Sequence, residues 1–399
     1  MRKFVFCTVV ALTAFSTLEK VVLATHTTSS NRRAQPGRYI VVLKDDVNIT
    51  THKSWIREEC ATTLKANKSS TFHVTNEYHI FHGYAADLTN DVVAKLTNNS
   101  EVSMVVPDMP CYGQLTQANA PWGISRISRK TKLPPRPLPH NANYIFRYKP
   151  SRTGVDVYVL DTGVNTAHVD FGGRAEWGTT FGKYANEDGS GHGTHVAGII
   201  GGKRYGVAKS ASIIAVKVLG DNNAGWVSDI IAGINWATIR ASTSGRPSVI
   251  NISISTEEPN TVLDLAVTNA VNRGMHIVVA AGSTNQDSSV TSPARAPAVL
   301  TVGAMNIDDE RWVRSPSRGS NFGPGVDVFA PGHDIISTWI GSNTATNRLT
   351  GTSVAAPHVA GLVAYLLSVE GALSPVEMDA RIKQLAPRGV LTKIPVGTS

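Results

Sequence analysis

The sequence predicts an α/β protein, built on a parallel β-sheet with helices on both faces and preceded by a small α+β domain. After about residue 115, near-continuous apolar runs alternate with segments whose apolar residues recur at helical spacing. Such runs are typical of strands buried on both faces, and their alternation with helices is typical of a parallel sheet. The predicted strands are residues 155–160, 213–218, 249–254 and 276–280, and the predicted helices are residues 195–200, 228–237, 262–272 and 354–367.

A different texture marks the segment that precedes this sheet. Three short strand-like runs, at residues 39–43, 78–81 and 102–106, are separated by helix-like stretches at residues 52–64 and 91–96. This order of short strands and helices indicates a small α+β domain over about residues 37–112.

The first residues of the chain have the pattern of an export signal. Two basic residues precede an apolar run that is too short to span a bilayer, and small residues then offer cleavage sites between positions 16 and 24. We therefore expect residues 1–24 to be a signal peptide and the protein to be secreted into the extracellular space.

Composition and charge narrow the class of protein further. The 399 residues carry a net charge of +8 that is spread along the chain, without a basic run interleaved with aromatic residues, so neither nucleic acid nor membrane is an expected partner. The three cysteines are Cys7, Cys60 and Cys111, so the large C-terminal region cannot use a disulfide or a thiolate metal site. A pairing of Cys60 with Cys111 stays open.

Two residues in the large region carry the chemistry of proton transfer. Asp161 ends the first predicted strand of that region, where a carboxylate can act on a ligand, although an Asp followed closely by Gly also indicates a turn. His192 lies in a glycine-flanked motif and can serve as a general base. The alternatives are a structural loop histidine and a metal site shared with His195, whose spacing differs from that of the zinc helix motif.

A third residue, Ser353, follows the small-residue turn Gly351-Thr352 and precedes an apolar run at helical spacing. This pattern places Ser353 at or next to a helix N-terminus, where a serine is commonly an N-cap. The small neighbours also leave its hydroxyl open to a large substrate, as a nucleophile requires.

The order Asp161, His192, Ser353 matches one of the known orders of the serine-protease triad. The chain resembles the subtilisin-family serine proteases, of the secreted fungal type similar to proteinase K, over nearly everything after Leu115. The motifs that carry this resemblance are Asn119-Ala-Pro-Trp-Gly123, Val159-Leu-Asp-Thr-Gly163, His192-Gly-Thr-His-Val-Ala-Gly198, Tyr205-Gly-Val-Ala208 and Gly351-Thr-Ser-Val-Ala-Ala-Pro-His-Val-Ala-Gly361.

The resemblance implies a fold, a processing scheme and a role for each triad residue. The sheet is expected to be of the seven-stranded subtilisin type in a peptidase domain at residues 115–399. Residues 25–114 are expected to be a propeptide whose inhibitor-like domain, at about 37–112, acts as an intramolecular inhibitor and leaves with both remaining cysteines. Ser353 would be the nucleophile, His192 the general base and acid, and Asp161 the residue that orients His192. His195 and His358 are expected to pack or cap.

Binding of the substrate and of its oxyanion is also implied by the resemblance, with two departures from the family pattern. Ser283 stands where the family has an asparagine as the second oxyanion donor beside the Ser353 backbone amide, and Asn285 follows two residues later. Ser255 and Thr256 replace a glycine pair in a segment that pairs with bound peptide. The expected substrate-binding residues are Ser253, Ile254, Ser255, Gly225, Trp226 and Gly282, with ordinary packing as the alternative for Trp226.

The remaining expectations concern metal and sugar. The carbonyls of Pro297 and Val299 and the carboxylate of Asp327 match a calcium site of proteinase K-like enzymes, and oxygen ligands suit calcium. Catalysis itself needs no cofactor. The glycan acceptor sequences are at Asn48, Asn67 and Asn98.

The sequence therefore predicts a secreted, monomeric serine endopeptidase that acts on proteins and is made as an inhibited preproprotein. The alternative is a catalytically weak or inactive subtilisin-like fold that acts as a binding or surface protein. This alternative is suggested by the departures from the family pattern at Ser283, Ser255 and Thr256.

Overall fold

The computed structural model describes residues 37–65, 70–108, 113, 115–134, 144–151 and 154–398, with side chains 63–65 left aside. Packing divides the chain into two compact units, Met1–Cys111 and Tyr112–Ser399. The predicted signal peptide lies outside the described residues, and the predicted processing sites stay predictions.

The small unit is an antiparallel four-stranded sheet with two helices, in the sheet order β2-β3-β1-β4. Its core consists of apolar side chains that alternate along the strands and repeat along the helices, such as Val41, Ile56, Leu88 and Leu96, all fully buried. The elements are β1 Gly37–Leu43, α1 Ile49–Lys65, β2 Phe72–Tyr78, β3 Gly83–Leu88, α2 Asn90–Asn98 and β4 Val102–Pro107.

One predicted strand of this unit, residues 78–81, is wrong. Tyr78 ends β2, and the following four residues form the turn that reverses the chain into β3. The apolar Ile80 is 91% exposed in that turn, so it packs in no core. The prediction failed because a short apolar run does not by itself show whether its side chains are buried.

Two of the glycan acceptor asparagines and one cysteine lie in the described part of the small unit. Asn48 is exposed and its side-chain oxygen accepts hydrogen bonds from the backbone of Thr50 and Thr51 at the start of α1, and Asn98 is exposed at the end of α2. Cys60 is buried in α1 and forms no disulfide with any described residue. Asn67 and Cys111 lie outside the described residues.

The large unit contains the predicted alternation of strands and helices. Its elements are β5 Leu115–Ala120, α3 Trp122–Ile127, β6 Tyr144–Tyr148, β7 Asp156–Asp161, β8 Ala175–Thr180, α4 His192–Gly201, β9 Ser212–Lys217, α5 Val227–Ser244, β10 Ser248–Ile252, α6 Thr261–Asn272, β11 His276–Ala280, β12 Leu300–Met305, β13 Val313–Ser315, β14 Arg318–Gly319, β15 Val328–Pro331, β16 Ile335–Thr338, β17 Thr346–Leu349, α7 Thr352–Glu370 and α8 Pro375–Leu385.

Seven of these strands form one parallel sheet in the order β15-β12-β11-β10-β7-β9-β8. Successive side chains of β7 enter opposite faces: Val157 and Val159 pack with α4 and α7, whereas Tyr158 and Leu160 pack with α5 and α6. Because β7 is covered on both faces, the four residues between its terminal aspartates are all largely apolar, as the predicted parallel sheet requires. The sheet and its two helical layers are confirmed.

Helix α7 is long and apolar, and it passes through the core of the large unit. By length and composition it could span a bilayer, but 72% of its apolar window is buried inside the protein. Ala356 and Ala360 face the sheet with no exposed surface, which is the packing of a core helix.

Candidate active site

A carboxylate and an imidazole meet at the carboxyl end of the sheet. Asp161 is the last residue of β7 and is fully buried, and His192 is the first residue of α4. His192 Nδ1 lies 2.8 Å from Asp161 Oδ1 and 3.0 Å from Oδ2. Since a carboxylate accepts, Nδ1 carries the proton, and the lone pair of neutral His192 is left on Nε2.

The surroundings of His192 set the pKa of its imidazole. Burial by itself would lower this pKa, but the charge of Asp161, the hydrogen bond to it and the charge of Asp188 together raise it above its ordinary value. The electrostatic field of the site therefore favours the imidazolium form, which is the form that a general base reaches when it has accepted a proton.

Asp188 is a residue of this site that the sequence prediction missed. Its buried carboxylate accepts from Thr162 Oγ1 at 2.8 Å, from Gly191 N at 2.8 Å and from Thr194 N at 2.9 Å. These bonds tie the turn after Asp161 to the first turn of the helix that bears His192. An acidic residue four positions before a glycine-flanked histidine was the available signal, but its partners are distant in sequence.

Ser353 is the second residue of α7, and Gly351, which has no side chain to cap with, occupies the N-cap position. The interpretation of Ser353 as an N-cap is therefore wrong. The Ser353 hydroxyl makes no hydrogen bond to His192 or to any other described residue. Helices α4 and α7 pack through Ala197 and Ala356, and both begin at the carboxyl edge of the sheet. Ser353, the candidate nucleophile, is thus half-buried and its hydroxyl is not hydrogen-bonded. It lies on the helix that packs beside α4, which bears His192.

The side chain of Ser283 lies against the start of α7, three residues beyond β11. Its Oγ accepts a hydrogen bond from Thr352 N at 3.1 Å and lies 3.1 Å from Thr352 Oγ1. Thr352 Oγ1 itself accepts from Gly282 N at 3.1 Å. When Thr352 also donates to Ser283, both lone pairs of the Ser283 hydroxyl are used and its proton is free to point elsewhere.

Three polar atoms converge beside Gly351. A methyl group placed on Gly351 would lie 3.3 Å from Ser283 Oγ, 3.4 Å from Ser353 Oγ and 3.8 Å from Ser353 N. Asn285 is held elsewhere, because its side-chain oxygen accepts from Arg311 at 2.8 Å and its amide donates to the Pro316 carbonyl at 3.0 Å. The structure therefore places Ser283, rather than Asn285, next to Ser353.

The expected substrate-binding segments lie along the same edge of the sheet. Ser253 is buried directly after β10 and Ser255 is exposed, whereas Trp226, at the start of α5, is 75% exposed. Such exposure rules out ordinary packing as the role of Trp226. The Thr256 hydroxyl is turned away into a neighbouring loop, where it accepts from Ser292 N at 3.1 Å, so Ser255 is the departure that faces solvent.

Gly282 and the two further histidines are structural. Gly282 has φ +98°, and a Cβ there would approach Asn321 Nδ2 to 2.4 Å, so only glycine fits. His195 Nε2 donates to the Ile335 carbonyl at 2.9 Å, and His358 Nδ1 donates to the Val354 carbonyl at 2.9 Å. Burial lowers the pKa of His195 to about 3 and that of His358 to about 4, so both stay neutral.

The residues at the expected calcium position do not fit a calcium ion as they stand. Lys383 Nζ lies 2.7 Å from Asp327 Oδ1, and Thr301 N donates to Asp327 Oδ2 at 2.7 Å. The ammonium group of Lys383 thus already balances the charge of Asp327, the carboxylate that would bind calcium together with the carbonyls of Pro297 and Val299. Across the described ranges, no group of three or more His, Cys, Asp or Glu side chains could hold a metal ion.

We expect a chelator to leave the melting temperature of the wild-type protein unchanged. Lys383→Met should lower that temperature by roughly 2–4 °C, because it leaves Asp327 and Asp379 without their ammonium partner. Added calcium should recover part of the loss in the variant alone. Thermal denaturation with and without calcium tests this. The control is Lys132→Met, which removes an exposed ammonium that lies 3.9 Å from the Asp308 carboxylate and donates to the Asp308 carbonyl at 2.8 Å. A melting temperature of the wild type that rises with calcium would contradict it.

A seven-stranded parallel sheet that carries an Asp–His pair and a serine at its carboxyl edge is the architecture of subtilisin-like serine proteases. Comparison with known proteins agrees. Residues 152–395 match the model of the Subtilase family, and residues 38–112 match that of the Peptidase inhibitor I9 family.

Relatives with names and structures support the same assignment. The subtilisin-like serine protease Pen ch 18 of Penicillium rubens is 40% identical over 91% of this chain and 79% of its own. Pen c 2 of Penicillium citrinum is 38% identical over 93% and 88%. The crystal structure of a cold adapted subtilisin-like serine proteinase has a TM-score of 0.62 at 38% identity, covering 71% of this chain and 97% of its own.

The chain therefore belongs to the subtilase family and is a subtilisin-like serine endopeptidase with an N-terminal inhibitor domain of the I9 type. The predicted family, fold class and enzyme class are confirmed.

Proposed function

We propose that the protein is a secreted serine endopeptidase that hydrolyses peptide bonds of proteins through Asp161, His192 and Ser353 and an acyl-enzyme. The observation that carries the proposal is the pairing of Asp161 with His192 Nδ1 at 2.8 Å, beside the unbound hydroxyl of Ser353 at the start of α7. The pairing leaves Nε2 as the base, which is what activation of a serine requires.

The steps follow from these positions. Ser353 Oγ attacks the carbonyl carbon of the scissile bond while its proton passes to His192 Nε2, and the imidazolium is stabilised by Asp161. His192 then gives the proton to the leaving amine as the C–N bond breaks, which leaves an acyl ester on Ser353. Water, deprotonated by the same Nε2, attacks the ester and releases the acid and the free serine hydroxyl.

The negative charge of the tetrahedral intermediate needs donors that are already in place. We assign this role to the backbone amide of Ser353, at the N-terminus of α7, and to the hydroxyl of Ser283. The convergence of Ser283 Oγ and Ser353 N within 4 Å of one point beside Gly351 supports the assignment. The positive end of the α7 dipole lies at the same place and adds to the stabilisation.

The protein substrate would lie across the exposed segments at the sheet edge. Gly225 and Trp226 on one side, and Ser253, Ile254 and Ser255 on the other, would pair with the residues that precede the scissile bond. The amount of exposed backbone and aromatic surface there suits an extended peptide. Gly282 would keep the space beside Ser283 open.

Restraint of the enzyme before secretion follows from its inhibitor domain. We propose that residues 1–24 direct export and that residues 25–114 are removed on activation, with residues 37–112 as the intramolecular inhibitor and Asn48 and Asn98 available to glycans. The match of residues 38–112 to the I9 inhibitor family supports this scheme. The relatives are named as subtilisin-like serine proteases, which supports the class of enzyme. The leader-like sequence of this chain supports export.

A fluorophosphonate probe tests whether Ser353 is the nucleophile. The processed protein should be labelled at one serine and should cleave a denatured protein, because the probe reacts only with a serine that has an active base. Ser353→Ala should lose both signals, while Ser289→Ala, which alters an exposed serine, should keep both. A wild-type protein that is neither labelled nor active would instead support the non-catalytic binding function.

A further inference from the structure

A cavity of about 430 Å³ opens beside the active site, and its lining is dominated by basic side chains. The volume is large enough for one or two amino-acid side chains and is within the range of ligand sites. The charged and titratable residues in its lining are Arg311, Arg314, Arg318, His333, Lys393 and Glu310.

Two walls of this basic cavity are attached to the backbone of the active site. On one side, Thr350 lines the cavity and directly precedes Gly351, whose amide donates to the Gly332 carbonyl at 2.8 Å. On the other side, Arg318 precedes Gly319, whose amide donates to the Ser283 carbonyl at 3.2 Å. The cavity is therefore held in a fixed relation to the two catalytic turns.

The sheet order shows which part of a bound substrate would reach this cavity. The segments proposed to hold the residues before the scissile bond follow β9 and β10, and Ser283 follows β11. The cavity is lined by residues that follow β12 and β15, and these strands lie on the far side of β11. A peptide that crosses Ser353 from the β10 side would thus carry its leaving-group side into the cavity.

The charges of the cavity are not balanced. Arg311 is buried and donates to Asn285 Oδ1 and to the carbonyls of Ser320 and Lys393, and Lys393 is paired with Glu310 at 2.8 Å. Arg314 and Arg318, on β13 and β14, are both exposed, and within the described ranges no carboxylate lies within 4.0 Å of either guanidinium. Among the described residues, four basic side chains and one acid thus line the cavity, and the guanidinium groups of Arg314 and Arg318 make no hydrogen bond.

We propose that this cavity binds an acidic side chain of the substrate, two or three residues beyond the scissile bond on its leaving-group side. A guanidinium offers paired donors that match a carboxylate, and two of them at the mouth of a cavity attract an anion before it docks. The proposal rests on the proposed function and adds to it a preference for substrates that carry Asp or Glu after the cut.

Quenched fluorescent peptides test the preference on the processed wild-type enzyme. The peptides share every residue before the scissile bond and carry Glu, Gln or Lys at the second and third positions after it. We expect kcat/KM to be about 5- to 10-fold higher for the Glu peptide than for the Gln peptide, and lower still for the Lys peptide. The advantage of the Glu peptide should shrink as salt is raised.

The double variant Arg314→Ser/Arg318→Ser should bring the ratio between the Glu and Gln peptides close to one, because kcat/KM falls far more for the Glu peptide than for the Gln peptide. A matched double variant, Arg273→Ser/Arg388→Ser, removes the same charge from exposed positions away from the cavity lining and should keep the ratio. Melting temperatures verify that both variants are folded.

Two results would overturn the proposal alone: equal rates for the Glu and Gln peptides, or a Glu preference that survives Arg314→Ser/Arg318→Ser. Both leave the Gln peptide cleaved, so the endopeptidase function stands. Absence of cleavage of every peptide, together with absence of fluorophosphonate labelling, would overturn the proposed function and this preference with it.

Discussion

Asp161→Asn should lower kcat about 10,000-fold while KM and the melting temperature change little. An amide in place of the carboxylate can donate to His192 Nδ1, which then loses its proton and carries its N–H on Nε2. The nitrogen that must accept from Ser353 would become a donor. The variant also lacks the negative charge that, at 2.8 Å, raises the pKa of His192 and stabilises its imidazolium.

Steady-state kinetics on a small peptide substrate measure the effect of Asp161→Asn. Asp308→Asn, which neutralises an exposed carboxylate elsewhere in the same unit, serves as the control and should retain the wild-type kcat. A loss of less than about tenfold in Asp161→Asn would show that another group orients His192. An equal loss of melting temperature in both variants would show that folding, rather than chemistry, had been measured.

Ser283 has the second large expected effect. Ser283→Ala should lower kcat about 100-fold with little change in KM, because the hydroxyl is needed only when charge develops on the oxyanion; the size is that established for the equivalent donor of subtilisin itself. Ser283→Asn should raise kcat about tenfold, since a carboxamide reaches further from the backbone than a hydroxyl and still donates.

The comparison of the Ala and Asn variants separates two states of the wild-type hydroxyl. A kcat that falls in Ser283→Ala and is unchanged in Ser283→Asn would show that the hydroxyl already donates fully. A kcat that is unchanged in Ser283→Ala would remove Ser283 from the site and leave the Ser353 amide as its donor. Ser289→Ala, an exposed serine in the same connection, is the control and should not alter kcat.

Local patterns were sufficient to predict the parallel sheet. The four predicted strands of the large unit, β7, β9, β10 and β11, are buried on both faces, so their apolar character is continuous, and each was predicted to within a few residues. The sheet strands β8, β12 and β15 were not predicted. The small unit was harder because β1, β2 and β4 are only partly buried, so their apolar pattern is interrupted. The predicted strand at residues 78–81 instead ends β2 at Tyr78 and continues as a turn over residues 79–82, and only the pairing of β2 with β3 shows this.

The order of three residues, Asp161, His192 and Ser353, was also visible in the sequence, because each sits in a short motif that contains small residues. The residues that hold the site and its surroundings in place were not visible in the sequence. Asp188 holds Thr162 and Thr194 through bonds that span 26 and 6 positions, and Lys383 reaches Asp327 across more than fifty. Such pairs depend on how the chain returns on itself, which no local pattern records.

The sequence by itself determined the class of fold, the family and the candidate catalytic residues, since apolar periodicity and short motifs are local properties of a chain. The tertiary structure alone decided that Gly351 rather than Ser353 occupies the N-cap position of α7, that Ser283 rather than Asn285 lies beside Ser353, and that an ammonium faces Asp327. It also collected arginines from β13 and β14 next to the active site. These are long-range contacts, and their free energy depends on distances that arise only when the whole sheet has formed.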